Sequence, residues 1–247
     1  MKKIEKLSLL LISGLVLCFA GCKQPAADGA TPSSNPKPRA NVSEAKIGDV
    51  VMEDGKIWPF ADWRYLEQEV VAVIVREKNG TTPALGIGVQ LSNVSAQWCD
   101  QHAQGMGKIE DLIGNSYSGY MDGSTGWSIL AAFVEDEDEQ GNYPVWNECL
   151  KYGTYNHLTG DLENGWYLPT INELHQIYTK KEVINASLEA TSGKKLQNNN
   201  YWSCCQYYEG IGNYSDMAAV LNLSNGMTYS YEKKYSGPLI CAVRAFN

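Results

Sequence analysis

The chain has 247 residues, of which 44% are hydrophobic and 19% charged, so it can bury a core and is not globally disordered. A net charge of −8 argues against general nucleic-acid binding and against a polybasic membrane surface. Three histidines are too few for a multi-histidine metal centre, and no cofactor is predicted. Tyrosine and tryptophan greatly outnumber phenylalanine, which suits half-exposed binding faces because both carry a polar group.

Residues 1–21 predict an export signal. Lysines at positions 2, 3 and 6 precede an apolar run over residues 7–20, which is shorter than the about 20 residues of a spanning helix. The run ends in Phe19-Ala20-Gly21-Cys22, which resembles the lipobox of bacterial lipoproteins. The resemblance implies lipidation (palmitate) at Cys22 and anchoring to a bacterial membrane, either the outer membrane or the cell surface. An ordinary secretion signal with a chance cysteine is the alternative.

Residues 22–44 are rich in proline, alanine and serine and predict a flexible spacer. Residues 45–247 have globular composition and are expected to form one domain. The mature domain keeps five cysteines, an odd number that leaves at least one thiol unpaired within the chain. Export permits disulfides, and Cys99–Cys149 is the candidate pair.

The first half of the domain predicts strands. Residues 46–52 and 56–58 flank Glu53-Asp54-Gly55, a hairpin signal. The β-branched run 69–76 predicts a buried strand, and residues 84–91 predict a second strand after a turn at Asn79-Gly80. Glycines at positions 86 and 88 indicate a bulge or a close approach of another group to the backbone.

The centre of the domain predicts helices. Residues 124–134 form a helix capped by Ser124 or Thr125, whose inward face carries Trp127, Leu130 and Ala131. Pro144 suits the first turn of a helix running to about residue 152. Thr170 and Glu173 have capping-box spacing, and the helix that they open turns Leu174, Ile177 and Tyr178 inward. A further short helix is expected over residues 182–190.

The last fifty residues predict strands again. Residues 218–223 and 227–231 form a hairpin around Ser224-Asn225-Gly226, with Asn225-Gly226 as a type I′ turn candidate. Residues 239–246 predict a final strand. The order of strands, helices and strands predicts an α+β domain whose terminal strands meet in one sheet.

Four motifs carry a family resemblance. Residues 165–174 (GWYLPTINEL) resemble a W-(R/Y)-L-P-T/S-x-x-E-L signature, which is followed in order by residues 201–203 (YWS), 221–226 (LNLSNG) and 241–244 (CAVR). Together they resemble a bacterial C-terminal domain of unknown function, related to the formylglycine-generating-enzyme (sulfatase-modifying) branch of the C-type lectin fold. Residues 45–247 are also similar to spirochaete variable lipoproteins, some of which are diversified by retroelements.

The resemblance implies a C-type lectin-like fold, with small twisted antiparallel sheets and two or more packed helices. It implies that Trp166 and Trp202 are core aromatic residues. It implies that Arg244 makes a buried or half-buried bidentate pair. It also places variable, ligand-contacting residues in the C-terminal stretch of the diversified relatives.

The sequence gives no pattern typical of an enzyme. It lacks G-x-S-x-G, H-E-x-x-H, C-x-x-C and a Ser-His-Asp order. The formylglycine-generating enzymes need two reactive cysteines shortly before the terminal strand, whereas residues 228–240 contain none and Cys204-Cys205 is expected on an earlier loop. The acidic run 135–139 lacks the EF-hand ligands at positions 140 and 147 and is interpreted as a solvated loop, and Trp146-Asn147-Glu148 as helix surface.

Residues 198–238 carry the main functional signal, because they hold seven of the 15 tyrosines together with six asparagines and five serines. Tyrosine, serine and asparagine dominate the contact surfaces of antibodies. We expect one aromatic ligand-binding patch near the C-terminal end of the domain, formed by Tyr207, Tyr208, Tyr214, Tyr229, Tyr231 and Tyr235. Tyr229 and Tyr231 are expected to be at least partly exposed.

The predicted function is that of a monomeric, lipid-anchored cell-surface protein that binds a protein or glycan ligand. A variable receptor diversified by a retroelement is one form of this prediction. Two alternatives stay open: a formylglycine-generating-enzyme-like oxidase, and an envelope structural protein without a discrete ligand.

Overall fold

The computed structural model describes residues 35–90, 94–114, 122–134, 141–192, 194–207 and 215–247. Its strands are β1 (Val50–Met52), β2 (Ile57–Trp58), β3 (Val70–Arg76), β4 (Ala84–Gly88), β5 (Val94–Ser95), β6 (Trp166–Tyr167), β7 (Asn200–Gln206), β8 (Met217–Asn222), β9 (Thr228–Glu232), β10 (Leu239–Ile240) and β11 (Val243–Phe246). Its α-helices are α1 (Gly126–Phe133), α2 (Pro144–Leu150), α3 (Tyr152–Tyr155), α4 (Ile171–Thr179) and α5 (Lys181–Ser192). Short 3₁₀ helices cover Val42–Glu44, Trp63–Tyr65, Gln104–Met106, Glu110–Leu112, Gly123–Thr125 and Gly160–Glu163.

The first sheet has six antiparallel strands in the order β2-β1-β3-β4-β11-β6. The β1–β2 hairpin and the strands β3 and β4 lie where the sequence predicts them. Val243 of β11 pairs with Ile87 of β4, so the first and last strands share this sheet, as predicted. The α+β class is therefore confirmed.

The second sheet has five strands in the order β5-β10-β7-β8-β9, all antiparallel except for the parallel pair β10–β7. The prediction of one continuous final strand over residues 239–246 is wrong. β10 belongs to the second sheet and β11 to the first, and the buried residues Cys241 and Ala242 connect them. The connection joins the two sheets through the core.

Two glycines of β4 are required by close packing, as predicted. A Cβ atom at Gly86 would lie 2.6 Å from the ring of Phe246, and one at Gly88 would lie 2.4 Å from the ring of Tyr152. Tyr152 also donates its hydroxyl to the carbonyl oxygen of Val71 (3.2 Å). The missing side chains thus let aromatic residues from α3 and β11 reach the backbone of the sheet.

Helix α1 differs from the prediction in its cap and its inward face. Thr125 occupies the N-cap position of α1, as predicted, but its side chain makes no capping bond. Asp122 caps the preceding 3₁₀ turn by accepting from the Ser124 amide (2.9 Å). Leu130 is fully buried and Trp127 half-buried, but Ala131 is exposed. Trp146 of α2 is buried against Trp98 (centroids 5.2 Å apart), so its interpretation as helix surface is wrong.

The structural roles expected for two tryptophans agree with their burial. Trp166 is buried, donates its indole N–H to the Leu162 carbonyl (2.7 Å) and contacts the Tyr152 ring. Trp202 is fully buried and donates its indole N–H to the carbonyl of Ala96 (2.9 Å). Each tryptophan therefore fills core volume and ties a loop to a strand.

Arg244 is half-buried and bidentate, but its partners are backbone carbonyls rather than a carboxylate. Its Nε donates to the Asn164 oxygen (2.9 Å) and its Nη2 to the Asp161 oxygen (2.7 Å). The guanidinium also lies 4.9 Å from the centre of the Phe246 ring. Arg244 thus fastens the turn before β6 to the last strand.

Ordered contacts begin before residue 45, within the predicted spacer. The Arg39 guanidinium makes two bonds to the Asp49 carboxylate (2.8 and 3.0 Å), and the Arg39 amide donates to the Ile57 carbonyl (2.8 Å). Asn41 caps the 3₁₀ helix Val42–Glu44. The last residues of the predicted spacer therefore belong to the fold, whereas residues 1–34, including Cys22, lie outside the described part.

Candidate functional site

The β8–β9 hairpin carries the candidate site and is closed by four residues, 223–226. The Asn222 amide donates to the Met227 carbonyl (2.9 Å), and the Gly226 amide donates to the Asn222 carbonyl (2.8 Å). Among the described non-glycine residues only His157 has a positive φ, so Asn225 does not, and the predicted type I′ turn is wrong. Gly226 takes the left-handed conformation (φ +74°), and a Cβ there would lie 2.3 Å from the Tyr178 ring of α4. The hairpin tip is therefore seated on α4.

The hairpin register fixes which side chains share a face. Val220 pairs with Tyr229 and Ala218 with Tyr231, so both tyrosines lie on the face of the sheet that bears Val220 and Ala218. The Tyr231 ring packs edge-on against Trp202, with centroids 5.4 Å apart. Leu221 and Leu223 are fully buried, as predicted. This resolves the register that the sequence left open.

Tyr229 and Tyr231 differ in exposure. Tyr229 is 43% exposed, and its hydroxyl accepts from the Asn225 side-chain amide (3.0 Å). Tyr231 is half-buried between Trp202 and Gly237, where a Cβ would lie 2.3 Å from the Tyr231 hydroxyl. Both are at least partly exposed, as predicted, but the ring of Tyr231 also packs against the buried Trp202.

Exposed apolar side chains are concentrated here. Six large hydrophobic side chains in the described part are exposed, and three of them, Met227 (55%), Tyr229 (43%) and Tyr235 (53%), fall within nine residues. We call Met227, Tyr229 and Tyr231 the tyrosine face, because alternation places their side chains on one side of the hairpin strand. Tyr235 lies beyond the end of β9. Lys234 lies 5.2 Å from the Tyr235 ring centre and pairs with Glu232 (3.0 Å), so charged groups border the aromatic residues.

The structure does not bring all six predicted tyrosines together. Tyr207 follows Gln206 and lies opposite Met217, and alternation directs its side chain to the other face of the sheet from Tyr229 and Tyr231. Tyr208 and Tyr214 lie outside the described residues. The predicted patch is therefore corrected to exclude Tyr207, whereas the places of Tyr208 and Tyr214 in it stay predictions.

A buried lysine that the sequence did not predict supports this face. Lys233 is fully buried, and its ammonium donates to the carbonyls of Gly105 (2.6 Å), Ser215 (2.7 Å) and Gly107 (3.1 Å). It also lies 4.8 Å from the centre of the Trp98 ring. Burial lowers the pKa of Lys233 to about 8. A lysine between Glu232 and Lys234 is typical of a solvated surface, so no sequence signal could have found it.

Gln206 extends the same buried polar network. Its side-chain oxygen accepts from the Ile109 amide (2.6 Å), and its side-chain nitrogen donates to the Ser215 (2.6 Å) and Gly107 (3.1 Å) carbonyls. Lys233 and Gln206 thus satisfy backbone groups of two loops at once. They fix the loops beside the start of β8 and the end of β9.

A second buried polar cluster surrounds Glu173 in the first turn of α4. The predicted capping box is confirmed: Thr170 Oγ1 accepts from the Glu173 amide (3.1 Å), and Glu173 Oε2 accepts from the Thr170 amide (3.0 Å). Oε1 accepts from the Tyr167 hydroxyl (2.9 Å) and lies 3.9 Å from Arg76 Nη1. Burial raises the pKa of Glu173 to about 7. The cluster is closed to solvent and is structural.

The cysteines differ from expectation in pairing and position. Cys99, Cys149, Cys204, Cys205 and Cys241 are all free and buried, so the Cys99–Cys149 pairing is wrong. Cys204 and Cys205 lie inside β7 rather than on a loop. Burial raises the pKa of Cys99 to about 12 and that of Cys204 well above its usual value. Both shifts disfavour a reactive thiolate, because the thiolate is the nucleophilic form.

A large surface cleft lies elsewhere, with a volume of about 730 Å³ between the β1–β2 hairpin and the C-terminus. Its basic residues already have partners: Arg39 binds Asp49, Lys56 binds Asp54, and Arg244 binds backbone carbonyls. It therefore offers a ligand little positive charge that the fold does not already use.

Within the described ranges, no helix has the length and apolar character needed to cross a membrane. The same residues contain no group of three or more histidine, cysteine, aspartate or glutamate side chains arranged to hold a metal ion. The acidic run 135–139 lies outside these ranges. Comparison of the chain with protein-family models gives no match, and comparison with curated proteins finds no similar sequence.

Proposed function

We propose that the chain is a lipid-anchored, extracytoplasmic binding protein that contacts a protein or glycan ligand through the tyrosine face. The observation that carries this proposal is the concentration of exposed apolar side chains at residues 227–235. Isolated exposed hydrophobic residues are ordinary on a protein surface, whereas a cluster with a polar border is typical of an interaction site.

The tyrosine face is supported from below, which favours binding. Tyr231 rests on the fully buried Trp202, and the Asn225 amide holds the Tyr229 hydroxyl. Side chains already held in one geometry lose less conformational entropy when a ligand binds. Tyrosine combines a large apolar contact area with a hydroxyl that can bind polar ligand groups.

We further infer that the α+β domain has the C-type lectin-like fold implied by the sequence resemblance. Support comes from its two small, mostly antiparallel sheets, its packed helices, and the presence of the first and last strands in one sheet. Trp166, Trp202 and Arg244, which the resemblance implies are structural, all fasten loops to strands. This fold would present the β8–β9 hairpin as an outer surface of the domain.

The oxidase alternative is less well supported. Cys204 and Cys205 are buried in a central strand, and burial raises the Cys204 pKa, so a thiolate would have to form out of contact with solvent. The alternative of an envelope structural protein is separated from ligand binding by the following experiment.

The purified chain is screened against a glycan array and a displayed peptide library, and each binder is measured against variants. Tyr229→Ala should weaken binding at least about 25-fold, because hot-spot residues contribute about 2 kcal/mol or more. Tyr155→Ala is the matched control, since Tyr155 is 51% exposed but lies on α3. Equal losses at both positions, or no binder in either screen, would contradict the proposed function.

The anchor is tested separately. Cys22→Ala should abolish acyl labelling and release the protein from the membrane fraction, because Cys22 is the acceptor implied by the lipobox. Cys99→Ala is the control, since Cys99 is a buried thiol of the folded domain and should leave labelling unchanged. A Cys22→Ala protein that stays labelled and membrane-bound would contradict the lipoprotein proposal.

A further inference from the structure

The outer edge of β9 differs from the other sheet edges of the described structure. The strands β2, β6 and β5, which form the other three edges, are each two residues long, whereas β9 has five residues. Very short edge strands are one of the ways in which proteins avoid edge-to-edge pairing. β9 is therefore the edge with the greatest capacity to pair with a further strand.

The hydrogen bonds of the hairpin show which backbone groups face this edge. Asn222 donates to Met227, and Lys233 donates to Asp216, both within the β8–β9 register. Hydrogen-bonded and non-hydrogen-bonded residue pairs alternate along an antiparallel ladder. The backbone N–H and C=O groups of Tyr229 and Tyr231 therefore point toward β8. The amides of Thr228, Ser230 and Glu232 point outward, as do the carbonyls of Thr228 and Ser230, and no strand of the described structure pairs with them. The Glu232 carbonyl already accepts from the Tyr235 amide (3.2 Å).

The side chains of β9 do not block pairing. The strand contains no proline or lysine, and its single charged residue, Glu232, is already paired with Lys234. Lys233, the next residue, points into the core rather than along the edge. Lysines and prolines commonly protect an edge strand from pairing with another chain, and β9 contains neither.

We propose that β9 pairs antiparallel with β9 of a second copy of this chain, about a two-fold axis at Ser230, so that the expected monomer is replaced by a dimer. This register sets Tyr229 opposite Tyr231 of the second copy and Thr228 opposite Glu232 of the second copy. Aromatic cross-strand pairs are stabilising, and no like charges face each other. The register therefore makes the edge self-complementary, with about four new backbone hydrogen bonds.

The pairing also changes the tyrosine face. A two-fold axis perpendicular to the sheet keeps the same face of both copies on one side, so the second copy contributes its own Tyr229 and Tyr231. Four tyrosines then form one continuous strip. That the strip binds a ligand rests on the proposed function, whereas the pairing of the two β9 strands does not.

The first test measures the mass of the full chain in detergent by light scattering, with the detergent contribution subtracted. At about 100 µM the wild-type chain should have twice the protomer mass, with a Kd in the micromolar range. Ser230→Pro should raise this Kd at least about tenfold, because it removes an outward N–H that the fold does not use. Ser230→Ala, which keeps that N–H, should remain dimeric.

Folding of each Ser230 variant is checked by its near-ultraviolet circular dichroism, so loss of the dimer cannot be confused with loss of the fold. A wild-type chain that stays monomeric at about 100 µM would overturn the proposal. So would a folded Ser230→Pro chain that is as dimeric as Ser230→Ala. Neither measurement depends on a ligand, so failure of the ligand screen would leave the dimer result standing.

The second test fixes the register by cross-linking. Residues in a bonded antiparallel pair have Cα atoms about 5.5 Å apart, within the range of roughly 4.4–6.8 Å that a disulfide spans. Ser230→Cys should therefore form a disulfide-linked homodimer under mild oxidation, whereas Ser43→Cys, at another exposed serine, should not. Equal cross-linking at both positions, or cross-linking of Ser230→Cys to a different protein instead, would overturn the proposed pairing.

Discussion

Replacing Glu173 with glutamine should remove a pH-dependent loss of stability from this protein. The Glu173 carboxyl is fully buried, and its pKa is raised to about 7 because burial penalises the ionised form. The Thr170 amide, the Tyr167 hydroxyl and the Arg76 charge oppose that rise, while Asp122 adds to it. The folded chain therefore holds a proton at Glu173 in a pH range where the unfolded chain has released it.

The sign and size follow from the two pKa values. Between pH 4.5 and about 7 the folded state binds more protons than the unfolded state, so the free energy of unfolding falls as pH rises. At about 1.36 kcal/mol per pKa unit, the contribution is about 3 kcal/mol. It is fully present below pH 4.5 and lost above about pH 7.

Glutamine retains the bonding geometry without the charge. Its carbonyl oxygen can accept from the amides of Thr170 and Gly123, as Oε2 of Glu173 does (3.0 and 3.3 Å). Its amide nitrogen can then donate to the Tyr167 oxygen. The variant should match the wild type near pH 4.5 and exceed its stability by about 3 kcal/mol at about pH 8.

Urea unfolding at a series of pH values measures this difference, because groups common to both chains cancel. Glu182→Gln, at an exposed position of α5, is the control and should give a flat difference across the same range. A flat difference for Glu173→Gln as well, or one that grows as the pH is lowered, would refute the reasoning.

Two further predictions concern packing. Gly226→Ala should lower the free energy of unfolding, measured in urea, more than Gly55→Ala does. Both glycines have positive φ, a conformation that costs an alanine about 1–2 kcal/mol. Only at Gly226 would the new Cβ also meet a neighbour, the Tyr178 ring at 2.3 Å. Equal costs would mean that α4 does not seat the hairpin. Trp202→Ala should lower the free energy of unfolding by about 3–5 kcal/mol, whereas Met227→Ala should change it by no more than about 0.5 kcal/mol. Similar effects of the two substitutions on the melting temperature would contradict the assignment of Trp202 to the core.

The sequence by itself determined most of the local structure, because short-range chemistry sets it. Proline at position 144, the Thr170–Glu173 spacing and the run 70–76 each specify an element without reference to the rest of the chain. The α+β class followed from the order of these elements. Gly86 and Gly88 even indicated the close approach of other groups to β4, although not which groups approach.

Only the tertiary structure decided the contacts between distant segments. The final strand is split because Leu239 pairs with Tyr201 in one sheet and Val243 with Ile87 in the other, and no local pattern distinguishes the two halves. The tyrosine face is smaller than composition suggested because the register of β7 and β8 sends Tyr207 to the opposite side. Lys233 is buried because three carbonyls from two loops converge on its ammonium. A single residue's chemistry does not encode its partners' positions, and those positions determine which tyrosines are exposed together.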